Sequence, residues 1–350
     1  MRTYFIKTFG CQMNVSDSQR IAGFLELQKM KPAQEIAKAD LVVFNTCGIR
    51  QTAENSAMGI IHNLREKNPK VFILLTGCLA KRKDVQKKMK AKVDLFLPIQ
   101  DFFKFEISTR KLNSKEKNDY LSTSPIYNKK EKALVPIMTG CNNFCSYCVV
   151  PYARGKEFSR PTKSIFEEIE KLSHNGCREI TLLGQNVNSY TYKKTDFPML
   201  LTKLAQSFPR ITFKFLTSHP KDFSDELIQV IAENPNVSKE IHLPIQSGSD
   251  KILKLMNRPY TQKHYLSLIK KAKEKIPQVR FTTDVIVGFP KETKRDLEAT
   301  AKVLKKVDYN LVFINKYSPR PGTEAFLLDD SVSWEEKKER EEYLKKILKK

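Results

Sequence analysis

The chain has 350 residues, with 62 Lys and Arg against 39 Asp and Glu, and its formal net charge at pH 7 is +23. This length suits two or three domains and excludes a single small module. The charge favours a polyanionic partner such as RNA or DNA, although a basic surface without such a partner is the alternative.

Neither secretion nor membrane insertion is expected. The first residues, MRTYFIKTFGCQMN, contain no apolar core and no small-residue cleavage site of a signal peptide. The longest uncharged stretch, 133–153, is interrupted by prolines and asparagines and cannot form a bilayer helix. We therefore expect a cytoplasmic protein that has no membrane segment.

Strand and helix patterns alternate in the first part of the chain. Apolar runs predict strands at 3–9, 41–46 and 71–76, and helical spacing predicts helices at 16–29, with Ser16 as N-cap, and 51–67. Strands that alternate with helices indicate a parallel sheet with right-handed crossovers. The fold class is thus α/β, beginning with a Rossmann-like or flavodoxin-like domain over residues 1–105.

Three of the seven cysteines follow these strands directly. Cys11, Cys47 and Cys78 end the sequences TFGC, FNTC and LTGC. In an open parallel sheet, ligands bind beyond the carboxyl ends of the strands. We expect these three thiols to converge there, whereas buried packing cysteines would be scattered along the strands.

Three further cysteines form a compact C-x3-C-x2-C cluster: Cys141, Cys145 and Cys148. Three thiolates are too few for a closed four-ligand structural zinc site, and no histidine lies near them in the sequence. A [4Fe–4S] cluster held by three thiolates leaves one iron open to another ligand. The seventh cysteine, Cys177, precedes a strand and is assigned to packing.

The polar segment 106–132 is expected to be a linker, and the remainder to form a partial (βα)6 TIM-type barrel over 133–330. Strands are predicted at 134–140, 179–184, 212–217, 240–245, 280–287 and 311–317. Helices are predicted at 164–174, 224–233, 262–275 and 293–306. The loops GQNVN, TSHP, PIQSGS and VGFPKET all follow strands and belong to the working face. Residues 331–350 are predicted to form a charged terminal helix.

The segment GCNNFCSYCVVPYARGKEFSRP closely resembles the signature of the radical S-adenosylmethionine (SAM) methylthiotransferases. FGCQMN, FNTCGIRQTAEN, LLTGCLAKR, LLGQNVNSY and TTDVIVGFPKET agree with it, so the resemblance covers nearly the whole chain. Within the family, these motifs are most similar to the MiaB-type tRNA enzymes. Lys291 departs from the glycine that the family usually has at this position, and Pro259 is a less common residue. The family usually continues into a small RNA-binding β-barrel, the TRAM domain, and this chain ends where that domain would begin.

The resemblance implies two [4Fe–4S] clusters and two SAM molecules per turnover. The radical-generating cluster would be held by Cys141, Cys145 and Cys148. The cluster that carries the incoming sulfur would be held by Cys11, Cys47 and Cys78. A 5′-deoxyadenosyl radical would remove hydrogen from C2 of N6-(dimethylallyl)adenosine at position 37 of tRNA, and the product would be 2-methylthio-N6-(dimethylallyl)adenosine. The implied partners are the tRNA anticodon loop, an electron donor of flavodoxin or ferredoxin type, and a sulfur donor.

By position in a barrel of this family, a further set of residues would contact SAM: Tyr147, Gly184, Gln185, Gln246, Ser247, Ile286 and Gly288. For each, ordinary loop structure is the alternative. Basic residues that could bind RNA phosphate or a carboxylate are Lys81, Arg82, Lys83, Arg154 and Arg160. The alternatives are a solvated surface for the first three and ion pairs for Arg154 and Arg160.

Three other functions remain open at this point. One is methylthiolation of N6-threonylcarbamoyladenosine in tRNA, and another is methylthiolation of a ribosomal protein aspartate. A non-catalytic iron–sulfur or zinc RNA-binding protein is the third, and it would not cleave SAM.

Overall fold

The computed structural model describes residues 1–112, 120–127 and 129–348. Its first unit is a five-stranded parallel sheet in the order β2-β1-β3-β4-β5. The elements of this unit are β1 (Thr3–Thr8), α1 (Gln12–Leu27), β2 (Lys31–Pro32), β3 (Leu41–Thr46), α2 (Gln51–Lys67), β4 (Phe72–Gly77), α3 (Lys83–Met89), β5 (Leu95–Phe96) and α4 (Ile99–Phe102). This is the flavodoxin-like order, and it confirms the predicted fold class of the amino-terminal part.

The strand β3 is buried on both faces, as its uninterrupted apolar sequence predicts. One apolar core, which includes Ile21 and Phe102, packs on one face of the sheet. A second core, which includes Ile61 and Val85, packs on the other. Helices on both faces enclose the sheet, so only its strand ends remain available for a ligand.

The start of α1 differs from the prediction. The helix begins directly after Cys11, which is its N-cap residue, and Ser16 lies inside it. Gly10 has a φ of +115°, which ends β1 and turns the chain into the helix at once. The Ser16 hydroxyl donates to the Leu134 carbonyl at 3.4 Å, so this side chain contributes to the contact with the barrel.

The predicted linker packs on the first unit in its described parts. It contains a short antiparallel pair, β6 (Phe105–Glu106) and β7 (Lys111–Leu112). Tyr120 and Leu121 are buried in the core that α1 covers, and the Tyr120 hydroxyl bonds to Thr139 at 2.9 Å. Residues 113–119 and 128 of this segment lie outside the described residues.

Six parallel strands form the second unit. Two three-stranded sheets, β8-β11-β14 and β15-β16-β17, are joined by a parallel bridge between Phe213 and Val237. The elements are β8 (Lys132–Pro136), β9 (Met138–Thr139), α5 (Val150–Arg154), β10 (Phe158–Ser159), α6 (Thr162–His174), β11 (Glu179–Leu183), β12 (Thr191–Tyr192), β13 (Thr195–Asp196), α7 (Phe197–Ser207), β14 (Thr212–Phe215), α8 (Asp225–Glu233), β15 (Glu240–His242), α9 (Asp250–Leu255), α10 (Gln262–Lys275), β16 (Arg280–Val287), α11 (Lys294–Val307), β17 (Leu311–Lys316) and α12 (Trp334–Leu348). The arc of strands is the predicted partial barrel.

Side chains of β16 alternate strictly between its two faces. Phe281, Thr283, Val285 and Val287 are buried, while the residues that alternate with them are partly buried or exposed. The helix α11 begins with a capping box formed by Thr293 and Asp296. Of the helices described, none is both long enough and apolar enough to cross a membrane.

Candidate active site

Cys11, Cys47 and Cys78 follow the neighbouring strands β1, β3 and β4 at one edge of the first sheet. In this strand order, β1 and β3 flank the point where the chain reverses direction across the sheet, which is where α/β proteins bind ligands. A Cβ atom at Gly10 would lie 2.5 Å from the Cβ of Cys47. A glycine before Cys11 therefore lets two cysteine-bearing loops approach each other.

The thiols of this trio are electrostatically coupled. Burial raises the pKa of Cys47, and the neighbouring thiols of Cys78 and Cys11 raise it further. The Ile49 amide donates to Cys47 Sγ at 3.4 Å. A raised pKa keeps the thiol protonated, whereas a cationic centre bound by the three cysteines would favour the thiolate form. The donor set therefore fits an iron–sulfur cluster.

Cys141, Cys145 and Cys148 lie in the loop between β9 and α5. Gly140 has a φ of +81°, and a Cβ atom there would lie 2.0 Å from the Lys156 carbonyl oxygen. Glycine is thus required where the loop begins. Burial raises the pKa of Cys141 to about 11, and burial together with Cys145 raises that of Cys148. This second trio poses the same requirement for positive charge.

The two trios lie against each other. A Cβ atom at Gly48 would lie 3.2 Å both from the Cβ of Cys78 and from a Val149 methyl group. Gly48 belongs to the loop after β3, and Val149 follows Cys148, so the two cysteine-bearing loops are in contact.

Among the described residues, no three Cys, His, Asp or Glu side chains are close enough to bind one metal ion. A single ion draws its ligands to about 2.3 Å from one centre. In a [4Fe–4S] cluster each thiolate binds a different iron, so the three sulfur atoms stay farther apart.

Arg258, which sequence reasoning missed, lies beside the C-x3-C-x2-C loop. Its guanidinium donates to Cys145 Sγ at 3.7 Å, to the Tyr147 hydroxyl at 3.4 Å and to the Tyr260 hydroxyl at 2.6 Å. A further bond to the Pro244 carbonyl at 2.9 Å fixes its orientation. Arg258 thus places a buried positive charge beside a proposed cluster ligand.

Several buried polar atoms at the carboxyl ends of the barrel strands have no hydrogen-bond partner: Asn186 Oδ1, Asn188 Nδ2, Ser218 Oγ, His219 Nε2 and Gln246 Oε1. They come from the loops GQNVN, TSHP and PIQSGS, which sequence reasoning assigned to the working face. Burial lowers the pKa of His219 to about 2, and Arg258 contributes to this lowering, so the imidazole is neutral. Unsatisfied buried polar atoms are rare in proteins. Their concentration here fits a site for a polar cofactor such as SAM.

The residues predicted to contact SAM divide into two groups. Tyr147, Gln246 and Ile286 are partly buried at the carboxyl-end face: Tyr147 and Ile286 pack with Phe289, and Gln246 has a φ of +67°. The others have structural contacts. Gln185 accepts the Gly140 amide at 2.5 Å, Ser247 is fully buried and lies 3.4 Å from the Thr300 hydroxyl, Gly184 packs on Met138, and Gly288 packs on Lys337.

Lys291, the departure from the usual glycine, has a φ of +65°. A left-handed conformation explains the family's preference for glycine here. The neighbouring Glu292 accepts the Gly288 amide at 2.6 Å and an Arg340 Nη at 2.6 Å. The helix α12 therefore stabilises this loop through Arg340.

Three of the predicted RNA contacts have carboxylate partners instead. Arg154 is buried with Asp17 at 2.6 Å, and Arg160 is buried with Glu168 at 2.8 Å. Arg82 donates to Glu54 at 2.6 Å and also pairs with Asp84. Since these guanidiniums are occupied, and two are buried, we do not retain them as phosphate contacts. Lys81 and Lys83 are exposed.

Ion pairs beside the cysteine-bearing loops cross between the two units. Asp17 lies in α1 and Arg154 ends α5. Glu54, in α2, also accepts from Arg320 of the barrel at 3.2 Å, and Arg320 donates to the Ile49 carbonyl at 2.8 Å. Both pairs adjoin cysteine-bearing loops, and sequence reasoning had no signal for either.

A cavity of about 900 Å³ opens at the amino ends of the barrel strands and is lined by charged residues that include Lys214, Lys239 and Asp308. It contains none of the six cysteines. Barrel enzymes carry their chemistry at the opposite face.

Comparisons with known proteins agree with this geometry. The model of the Radical SAM superfamily matches residues 135–304, and that of "Uncharacterized protein family UPF0004" matches residues 3–98. In solved structures, the chain resembles the radical SAM methyltransferase TsrM from Kitasatospora setae, with a TM-score of 0.62 and 13% identity over 93% of this chain and 75% of that one. It also resembles the cobalamin-dependent radical enzyme OxsB, with a TM-score of 0.62 and 10% identity over 99% of this chain and 56% of that one. At these identities the likeness concerns the fold alone.

Curated relatives are much more similar. A tRNA-2-methylthio-N(6)-dimethylallyladenosine synthase of Endomicrobium trichonymphae is 42% identical over 96% of this chain and 81% of its own length. The synthase of the same name from Thermodesulfovibrio yellowstonii is 43% identical over 96% of this chain and 80% of its length. At this identity over almost its whole length, the chain belongs to the radical SAM superfamily and, within it, to the family of tRNA-2-methylthio-N(6)-dimethylallyladenosine synthases.

Proposed function

We propose that this enzyme inserts sulfur at C2 of N6-(dimethylallyl)adenosine 37 of tRNA and methylates that sulfur. The observation that carries the proposal is the contact between the two cysteine-bearing loops, through Gly48, Cys78 and Val149. Hydrogen abstraction and sulfur insertion act on the same carbon atom, so the two centres must serve one substrate site. The enzyme would act in the cytoplasm, where tRNA is available, with an electron donor of flavodoxin or ferredoxin type and a separate sulfur donor.

The residues present fit the two clusters. Cys141, Cys145 and Cys148 would hold the radical-generating cluster, and the trio of the first sheet would hold the other. When bound, the clusters and SAM supply the reducing electron, the radical that attacks an unactivated C–H bond, and the sulfur and methyl groups that are transferred. Cationic iron would offset the burial and the neighbouring thiols that raise the pKa of Cys47 and Cys148.

The chain's own side chains prepare the site before any substrate arrives. Arg258 holds Cys145 and Tyr147 in one arrangement through its donors. His219 is kept neutral by burial, and its Nε2 is buried without a partner. Because its Nδ1 accepts the Lys221 amide at 3.2 Å, Nε2 carries the ring proton and can donate one hydrogen bond without adding a charge. Preorganised polar groups of this kind orient a ligand without reorganising when it binds.

RNA phosphates would be held beside the first trio. Lys81 and Lys83 are exposed and follow Cys78 within five residues. Each phosphate that a lysine neutralises releases a counterion, so this contact strengthens binding at low salt. An anticodon loop offers unpaired bases that can leave the stack and enter a protein site.

The test is nucleoside mass spectrometry of tRNA from a bacterium that lacks its own enzyme and expresses this chain. We expect 2-methylthio-N6-(dimethylallyl)adenosine, and we expect Cys11→Ala and Cys145→Ala to abolish it. Cys177→Ala is the matched control, because Cys177 belongs to neither trio, is buried, and donates to the Glu131 and Glu179 carbonyls at 3.5 and 3.4 Å. Methylthiolation of threonylcarbamoyladenosine, or of a ribosomal protein instead of tRNA, would contradict the proposed substrate.

A further inference from the structure

Two large aromatic side chains are exposed beside the second trio, one in its loop and one in the helix α5 that follows. Phe144 and Tyr152 are 43% and 47% exposed. Their ring centroids lie 6.0 Å apart at an interplanar angle of 80°, which is a favourable edge-to-face geometry. Phe144 directly precedes Cys145, and Tyr152 lies in α5, four residues after Cys148. The pair is therefore a fixed apolar surface beside the proposed radical centre.

Phe144 has a strained backbone conformation. Its φ is +45°, in the left-handed region that a bulky residue seldom adopts. Asn257, on the loop after α9, donates to the Phe144 carbonyl at 2.9 Å and to that of Asn143 at 3.4 Å. Strain of this kind persists only where the surroundings enforce it, and it concentrates at functional sites.

We infer that Phe144 and Tyr152 form a stacking platform for an unpaired RNA base next to the adenosine that is modified. The inference rests on the proposed function and names a part of the substrate site that the cysteines do not supply. Aromatic side chains stack on any base, because every base has a π face. An enzyme that acts on one base of a loop must hold the neighbouring bases apart from it.

The net charge of the chain and an exposed lysine in the same segment favour RNA over an apolar protein partner. Lys156 is exposed, and its carbonyl lies against Gly140, where the same loop begins. The chain as a whole carries a net charge of +23. Exposed aromatic rings beside basic side chains are the usual composition of a single-strand binding surface.

The experiment uses the holoprotein, with both clusters reconstituted, and an anticodon stem-loop RNA that carries N6-(dimethylallyl)adenosine. Phe144→Leu and Tyr152→Leu keep apolar volume and remove the π face. Each is expected to weaken RNA binding by roughly 5- to 150-fold, the range for the loss of one base stack. Tyr343→Leu is the control, because Tyr343 is 42% exposed on α12 and should leave binding unchanged. Iron content and the urea midpoint of each variant establish that it has folded.

Abasic substitutions in the RNA identify the stacked base. One abasic position beside the modified adenosine should weaken binding to the parent protein and cause no further loss with Phe144→Leu. A second variant, Asn257→Gly, keeps the left-handed backbone and removes the amide that fixes Phe144. It should reproduce part of the loss.

The possible failures are distinguishable. Parent-like RNA binding by Phe144→Leu and Tyr152→Leu would overturn this inference alone. Unchanged RNA binding together with slower reduction of the variants' clusters by photoreduced flavodoxin would also overturn this inference, because the aromatic pair would then serve a protein electron donor. Failure of the parent protein to bind the stem-loop and form product would overturn the proposed function and this inference together.

Discussion

The buried ion pair between Asp17 and Arg154 provides a sharp test of how the two units are held together. Its side chains are 1% and 3% exposed and 2.6 Å apart. Replacing Arg154 with methionine removes the charge but keeps much of the apolar stem. Asp17 is then left buried and unpaired, and the loss of one partner of such a pair costs about 3–5 kcal/mol.

A double variant separates charge from packing. In Asp17→Asn with Arg154→Met no buried charge remains, and replacement of both partners by neutral groups is often nearly neutral. Asp17 Oδ1 and Arg154 Nη1 already lack partners, so the native pair is not fully satisfied. We expect the double variant to recover at least about 2 kcal/mol of the single variant's loss.

The loss should also depend on pH. Burial raises the pKa of Asp17 above its ordinary 3.8, while Arg154 acts to lower it. Without the guanidinium the folded-state pKa rises further. The folded variant then binds a proton more tightly than the unfolded chain, so its stability relative to the parent improves as the pH falls.

The assay is anaerobic urea unfolding of the holoprotein at about pH 7.5 and about pH 5.5, followed by circular dichroism. The single variant should lose about 3–5 kcal/mol at the higher pH and less at the lower. If the double variant is as unstable as the single one, or if the deficit is independent of pH, the pair does not act through its charge.

Three further predictions follow from the site. His219→Gln should make the stability of the protein less sensitive to acid. Because the pKa of His219 is depressed in the folded protein, only the unfolded chain binds the proton below pH 6.5, and the parent loses about 1.4 kcal/mol of stability per pH unit. The urea midpoints of parent and variant should therefore diverge as the pH falls from 7 to 5. Glu54→Gln leaves two arginines facing a neutral amide and should cost roughly 2–4 kcal/mol in urea unfolding, with equal stability of parent and variant as the contrary result. Lys81→Gln and Lys83→Gln should each reduce, by about 0.7–0.9, the slope of the logarithm of the tRNA-binding constant against the logarithm of salt concentration. The control is Lys163→Gln, at an 88% exposed position on α6, which should leave the slope unchanged. An unchanged slope for the first two variants would exclude these lysines from the interface.

Much of the fold was predictable because its signals are local. The helices α2 and α10 and the strands β3 and β16 have the predicted bounds. Each is a continuous periodic or apolar run bounded by polar or turn residues. The convergence of the first trio followed from the same logic, since parallel strands place their carboxyl ends at one edge.

The start of α1 shows where local reasoning fails. Ser16 has the chemistry of an N-cap, and a helix beginning there is plausible from composition. The start of the helix is determined instead by the backbone at Gly10, which has a φ of +115° and turns the chain from β1 into α1. Cys11 therefore stands at the first turn of a helix, a placement that the pattern of side chains did not reveal.

The charged contacts between the units could not be predicted, because their partners are far apart in the sequence. Arg154 and Asp17 are separated by 137 residues, and Arg320 and Glu54 by 266. No periodic pattern connects such positions. Arg258 was missed for the same reason, since its contact with Cys145 spans 113 residues.

These same contacts explain why the two thiol trios meet in one arrangement. A buried ion pair adds little net stability compared with apolar packing. A shifted interface, however, would break the pair and leave a buried charge unpaired, at a cost of about 3–5 kcal/mol for each pair. Two such pairs, Asp17 with Arg154 and Glu54 with Arg320, lie beside the cysteine-bearing loops. An apolar interface could slide with a smaller penalty. We infer that the ion pairs fix the register between the sheet and the barrel, so that the two cysteine trios are held in mutual position before either cluster is inserted.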